Sequence, residues 1–144
     1  MNSNLHVVCP HCGATNRMPA ERLADGGSCG GCKRPLFDAH PVELNEVDFE
    51  RHLAGNDIPV VVDFWAPWCG PCRSMAPQFE RAAAELEPRV RLAKLNTDEA
   101  RSIAARYDIR SIPTLIAFRG GREVARQSGA MDARSLVRWV DANV

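Results

Sequence analysis

The 144-residue chain lacks an excess of charge of either sign, with 18 lysines and arginines against 18 aspartates and glutamates. Residues 1–40 carry a formal charge of +1 and the remainder −1. No stretch offers the basic surface that binds phosphates, so no nucleic-acid partner is expected. Long apolar runs are missing too, and no membrane partner is expected. The first residues, Met1-Asn2-Ser3-Asn4-Leu5-His6-Val7-Val8, have no basic stretch followed by a long apolar one, which favours a soluble, cytoplasmic protein,. Aromatic residues are scarce at 6%, but the 45% hydrophobic share is ordinary for a globular chain,. The length leaves room for one domain and a small appendage.

Cysteine is what the sequence does have. Its six cysteines form three Cys-x-x-Cys pairs, an arrangement that suits metal and redox uses in a reducing compartment better than a secreted disulfide framework,. Two pairs fall in residues 1–40, which read as a separate module with a Gly-rich stretch, Asp25-Gly26-Gly27-Ser28-Cys29-Gly30-Gly31-Cys32. So short a segment cannot bury enough apolar area to fold unaided. Cys9-Pro10-His11-Cys12 and Cys29-Gly30-Gly31-Cys32 are sixteen residues apart, a spacing that suits two knuckles around one tetrahedral zinc ion,. Thiolates alone do not choose between zinc and iron, and two disulfides could use the same cysteines. His11 is a further candidate ligand, although four cysteines already complete a tetrahedron. Met18 to Leu23 reads as a short turn or strand packed on the knuckles.

The third pair stands at the end of Val61-Val62-Asp63-Phe64-Trp65-Ala66-Pro67-Trp68-Cys69-Gly70-Pro71-Cys72, where an apolar strand runs into a turn that opens a helix. A thiol at a helix N-terminus faces unpaired backbone N–H groups and the positive end of the helix dipole, which favour thiolate. Cys69 is the expected nucleophile. Cys72, one turn on and on the same side, is placed to resolve a mixed disulfide. A mere loop staple is the alternative, but so small a ring removes little chain entropy. Asp63 interrupts a strand of Val, Phe and Trp, so its carboxyl should be buried, with a raised pKa, unless it lies on a solvent-facing edge. A carboxylate there can accept the Cys72 proton.

From Pro41 onward, strands and helices alternate: strand Val42–Leu44, helix Val47–Leu53, strand Val60–Ala66 and helix Gly70–Glu87, stopped by Pro88,. Strand Val90–Leu95, helix Glu99–Tyr107, strand Thr114–Phe118, a Gly120-Gly121 turn into Arg122–Arg126, and helix Asp132–Asn143 follow,. This is an α/β pattern of parallel units ending in a hairpin and a helix.

Trp68-Cys69-Gly70-Pro71-Cys72, with Asp63 and Trp65 upstream and Ile112-Pro113-Thr114 downstream, resembles the thioredoxin family over residues 41–144. The extra residues 1–40 make the chain similar to the zinc-containing, two-domain thioredoxin 2 type of bacteria. The resemblance implies a mixed sheet covered by helices on both faces, preceded by a zinc-ribbon-like module. It implies a cis proline at Pro113 facing the cysteines, and an Ile112 backbone free to pair with an extended client segment. Trp68 and the Gly129 loop would complete an apolar rim, and Gly70 and Pro71 would bias the pair towards electron donation. Lys94 would approach Asp63, unless it is simply a solvated strand lysine. The activity implied is protein-disulfide reduction, with disulfide-containing clients and a thioredoxin reductase as partners, one Zn2+ held by Cys9, Cys12, Cys29 and Cys32, and no organic cofactor. A different class, a zinc-dependent binding or chaperone module using the domain as a docking surface, would not require Cys69, Cys72 and Asp63 together. Because the reactive pair lies outside residues 1–40, the small module is expected to be separable from the chemistry.

Overall fold

A computed structural model describes residues 3–144; Met1 and Asn2, the start of the segment read as lacking a leader, lie outside the described residues. The first unit is a hairpin of β1 (Asn4–Val8) and β2 (Thr15–Pro19), paired antiparallel with Val7 opposite Asn16. The first cysteine knuckle is its turn, and Gly13, at φ +79°, returns its N–H to the Cys9 carbonyl. A 3-10 turn, Ala20–Asp25, begins directly after Pro19. The second knuckle closes where Cys29 N–H reaches the Arg34 carbonyl and Lys33 N–H the Cys29 carbonyl. Val7, Cys9, Cys29 and Leu36 are its buried centre, which is too little apolar matter to fold without a staple,.

The second unit runs β3 (Val42–Leu44), α1 (Phe49–Gly55), β4 (Val60–Trp65), α2 (Gly70–Leu86) and β5 (Arg91–Asn96). It continues through α3 (Arg101–Arg106), β6 (Thr114–Arg119), β7 (Arg122–Ser128) and α4 (Ala133–Asn143). The sheet order is β3-β5-β4-β6-β7; β3, β5 and β4 are parallel, and β6 and β7 close it antiparallel. The expected mixed sheet with helices on both faces is therefore present. Val60 to Phe64 is buried throughout, which is what a central strand covered on both sides demands,.

Alternation along the strands builds two cores. Val60, Val62 and Phe64 point with Ala93, Leu95, Ile116 and Phe118 to Phe49 and Leu53 of α1 and Ile103 of α3. Val61, Leu92, Leu115 and Ala117 point the other way, to Met75, Phe79 and Leu86 of α2 and Leu136 and Val140 of α4. The element boundaries shift by at most two residues from the expected ones, as where α1 starts at Phe49 rather than Val47. Val47 is exposed, and the Asn45 side chain accepts from Val47 and Asp48 N–H in a turn before the helix.

The two units are joined by buried polar contacts that the sequence did not announce. Arg91, fully buried at the start of β5, donates to the carbonyls of Leu36 (2.8 Å) and Val8 (3.3 Å) and lies 4.3 Å over the Phe37 ring. Its other side faces the buried Glu87 carboxyl at 3.6 Å. Asn56 accepts from Val8 N–H at 2.9 Å and donates to the His52 carbonyl at 2.8 Å. His6 and Asp57 exchange backbone and side-chain hydrogen bonds at the rim.

Candidate functional site

Strand β4 delivers the chain to Pro67 and Trp68, and α2 starts at Gly70 with Cys69 as its N-cap and Pro71 in the first turn, where a missing N–H costs no helical bond,. Cys69 and Cys72 form a disulfide with a Cα–Cα separation of 5.2 Å, and Cys72 N–H points at Cys69 Sγ from 3.2 Å. Both sulfur-bearing residues are nearly covered, Cys69 at 5% exposure and Cys72 at 2%. No atom stands where a Cβ on Gly70 would go, so the position does not demand glycine sterically.

The loop before β6 completes this surface. Ile112–Pro113 is a cis peptide, and the Ile112 carbonyl lies 3.7 Å from Cys69 Sγ. Gly129, at φ +99°, donates its N–H to the Pro113 carbonyl at 2.9 Å, a left-handed conformation that L side chains rarely adopt,. Trp68 is 67% exposed, and its indole N–H donates to Asp98 at 3.0 Å. An open groove of about 190 Å³ runs between Trp68 and Ile112 over Thr97, Ala104 and Ile109. The structure thus brings Cys69, Cys72, Trp68, Ile112, Pro113 and Gly129 together. Asp98 was not foreseen; it lies thirty residues from Trp68, and no local pattern marks it. Thr114, which bonds the Ser111 carbonyl at 2.6 Å and faces Ser128 Oγ at 3.1 Å, was visible only as part of the Ile-Pro-Thr motif.

Asp63 is fully buried on the face of β4 that α2 covers, and among the described residues neither carboxylate oxygen has a hydrogen-bond partner. Burial pushes its carboxyl up to about 7, with Lys94 pulling the other way,. Lys94 stands beside it in register on β5, but its ammonium sits 4.3 Å over the Trp65 ring and makes no hydrogen bond to the carboxylate.

In the first unit, the four sulfurs of Cys9, Cys12, Cys29 and Cys32 lie within 4.8 Å of one another. Backbone N–H groups of His11 and Gly31 point at the Cys9 and Cys29 sulfurs from 3.3 Å each, as knuckles around a thiolate-bound cation require. The N–H of Cys32 and the Asn16 amide pull the Cys29 thiol down to about 6. At Cys12 the Ala14 N–H works in the same sense, but the hydrogen bond to Cys29, burial and the other two sulfurs outweigh it and raise the thiol to about 11. Four thiols this close cannot all ionise unless a cation balances them, so the donor set and its spacing fit a tetrahedral thiolate-bound metal. The His11 ring turns to Asp38, 3.6 Å away, and is not part of the cluster.

Residues 40–142 match the family described as Thioredoxin, and residues 8–34 match the one described as Thioredoxin 2, N-terminal. Thioredoxin C-3 of Corynebacterium nephridii is 44% identical over 135 residues, covering 94% of this chain and 92% of its own length. Thioredoxin of Haemophilus influenzae is 38% identical over 72% of the chain and 96% of its own length. Thioredoxin 1 of a Nostoc species is 40% identical over 71% and 95% respectively.

Proposed function

Given that the chain belongs to the thioredoxin family and is therefore a protein-disulfide oxidoreductase, we propose that it reduces client disulfides through Cys69, with Cys72 resolving and Asp63 carrying the proton. The Cys69 thiolate attacks a client disulfide, forming a Cys69–client bond while the client S–S bond breaks and the departing sulfur takes a proton. Cys72 then gives its proton to the Asp63 carboxylate, and its thiolate attacks Cys69 Sγ. The Cys69–Cys72 disulfide forms, the second client sulfur leaves as a thiolate that is protonated at the expense of the Asp63 carboxyl, and two electrons have passed to the client. A thioredoxin reductase returns them.

An extended client segment pairs with the Ile112 backbone beside Cys69 by strand addition, with Trp68 and Gly129 bounding the contact. Recognition through main chain and shape places few demands on client sequence. Gly70 and Pro71 favour the dithiol as donor. In the small module, residues 1–40, Cys9, Cys12, Cys29 and Cys32 would hold one Zn2+, whose chemistry there is to neutralise four thiolates and close the fold. The domain of residues 41–144 holds the reacting groups, and the cytoplasm, with its reduced thiols, suits both sites.

The observation that carries this reading is the Cys69–Cys72 disulfide at the N-terminus of α2, with the Ile112 carbonyl 3.7 Å from Cys69 Sγ. Cys72→Ser should trap mixed disulfides with clients, and Cys69→Ser should abolish both trapping and turnover in an insulin-reduction assay. Adducts that form mainly through Cys72 in the Cys69→Ser variant would reverse the assignment.

A further inference from the structure

A proton taken up by Asp63 enters a site with no hydrogen-bond partner for either carboxylate oxygen among the described residues, so its affinity there is set first by burial and then tuned by the field of nearby charges,. Strand register identifies them. Glu43 on β3, Lys94 on β5 and Asp63 on β4 are in-register neighbours across the parallel part of the sheet. All three point to the α2 face, because the residues flanking them, Val42 and Leu44, Ala93 and Leu95, Val62 and Phe64, fill the opposite core,. The row reads negative, positive, negative, and it runs from an exposed edge through half-buried Lys94 to buried Asp63.

A cleft of about 210 Å³ opens over the outer part of this row, lined by Glu43, Lys94, Trp65, Asn96 and Glu99. The Lys94 ammonium lies in it, over Trp65, rather than on the partnerless Asp63 oxygens. An unpaired buried carboxylate next to a lysine ordinarily draws the ammonium inward. Two acids line the same cleft, Glu43 in register with Lys94 and Glu99 from the segment before α3, and although neither is ion-paired to the ammonium their negative field favours its outward position,. Among the described residues, no other charge stands beside Asp63 on the elements packed around it: its partner in register on β6 is Leu115, and the α2 residues in this core are apolar.

We propose that Glu43 is a positioning residue for the reaction, holding the Lys94 ammonium out in the cleft so that Asp63 keeps its readiness to hold a proton. This rests on the proton-carrier reading of Asp63 for its importance to turnover, but not for its effect on Asp63 itself. Losing the Glu43 charge frees Lys94 to turn inward and removes a repulsion across two strand spacings, roughly 10 Å. Both changes favour the Asp63 carboxylate, so its titration moves down, by about half a pH unit after solvent screening.

The test is a carboxyl carbon NMR titration of Asp63 in the reduced, full-length protein, beside the pH profile of client reduction. Glu43→Gln is expected to lower the Asp63 midpoint and to move the rising limb of the profile down with it; adding Glu99→Gln moves both further. In a Lys94→Met background, the Glu43→Gln shift should shrink by half or more, because the residue acts largely through the ammonium. An unmoved midpoint in Glu43→Gln, or an equal shift with and without Lys94, would overturn the proposal. Asp63→Asn keeps the two readings apart: unchanged turnover in that variant would remove the proton-carrier role, while the Asp63 midpoint in Glu43→Gln would still report on the row.

Discussion

A carboxyl that titrates near pH 7 inside a sheet lowers stability wherever it is ionised, and Asp63 is such a group. In the unfolded chain it ionises around 3.8, whereas burial holds the folded-state value at about 7. Between those values the folded state binds more protons, so this contribution is fully favourable below pH 4, is lost as pH rises to 7, and is level above. Asp63→Asn should therefore be more stable than wild type at pH 8, by on the order of 4 kcal/mol as an upper figure. The gain should vanish near pH 4. Urea unfolding at the two pH values checks this, and a gain independent of pH would place its cause elsewhere. Glu87, also raised to about 7 by burial, slopes in the same window in both proteins and so cancels from the difference. The same variant should slow resolution of mixed disulfides more than their formation, read from single-turnover kinetics with a client disulfide.

Among the elements, α2 and α4 show how short sequence signals set ends that long contacts then use. Asp132 accepts Ser135 N–H at 2.8 Å and starts α4, which covers the same core as α2. Asp132→Ala should cost about 1 kcal/mol, measured as a lowered unfolding midpoint with the denaturant slope unchanged. The Gly120-Gly121 turn, with φ of +60° and +79°, was legible as a hairpin from its two glycines,. Strand β1 was not legible. It buries only Val7 and Val8, too few residues to show a period, and its partner strand β2 is mostly polar. Its pairing depends on the knuckles that hold its end.

For the whole molecule, the Arg91 junction ties the small module to the larger unit through buried hydrogen bonds. Val8 precedes Cys9, and Leu36 follows the second knuckle, so the carbonyls that Arg91 holds are close neighbours of the cysteine cluster. Val8 also seats against Gly55 of α1, where any Cβ would lie 2.6 Å from its methyl group. Arg91→Met should destabilise the full chain by about 3–5 kcal/mol at pH 8, since it leaves the Glu87 carboxylate buried and unpaired. The loss should be smaller at pH 5, where Glu87 is protonated. Chelation of metal should lower the thermal midpoint of the whole chain in wild type, and less so in Arg91→Met. A chain beginning at Pro41 should nevertheless keep most of its insulin-reducing rate, because Arg91 opens β5 beside Val60 while Cys69 follows the far end of β4.

Sequence by itself determined the three cysteine pairs, the strand that turns into a helix at Cys69, and the acid among valines at Asp63. Those are features of spacing and local pattern, and each works through neighbours a few residues away. It also determined the alternation of elements, since periods of two and 3.6 survive in the chain whatever the packing. The approach of Ile112 to Cys69 across 43 residues, and of Asp98 to Trp68 across thirty, was decided by the sheet order, which no local period encodes. Arg91 is the clearest case: an arginine at the start of a strand is a solvent-facing residue by local rules, and only the docking of the first unit onto that end of the sheet buries it. The Glu43, Lys94 and Asp63 row has the same origin, because three charges from three separated strands share a face only once β5 lies between β3 and β4.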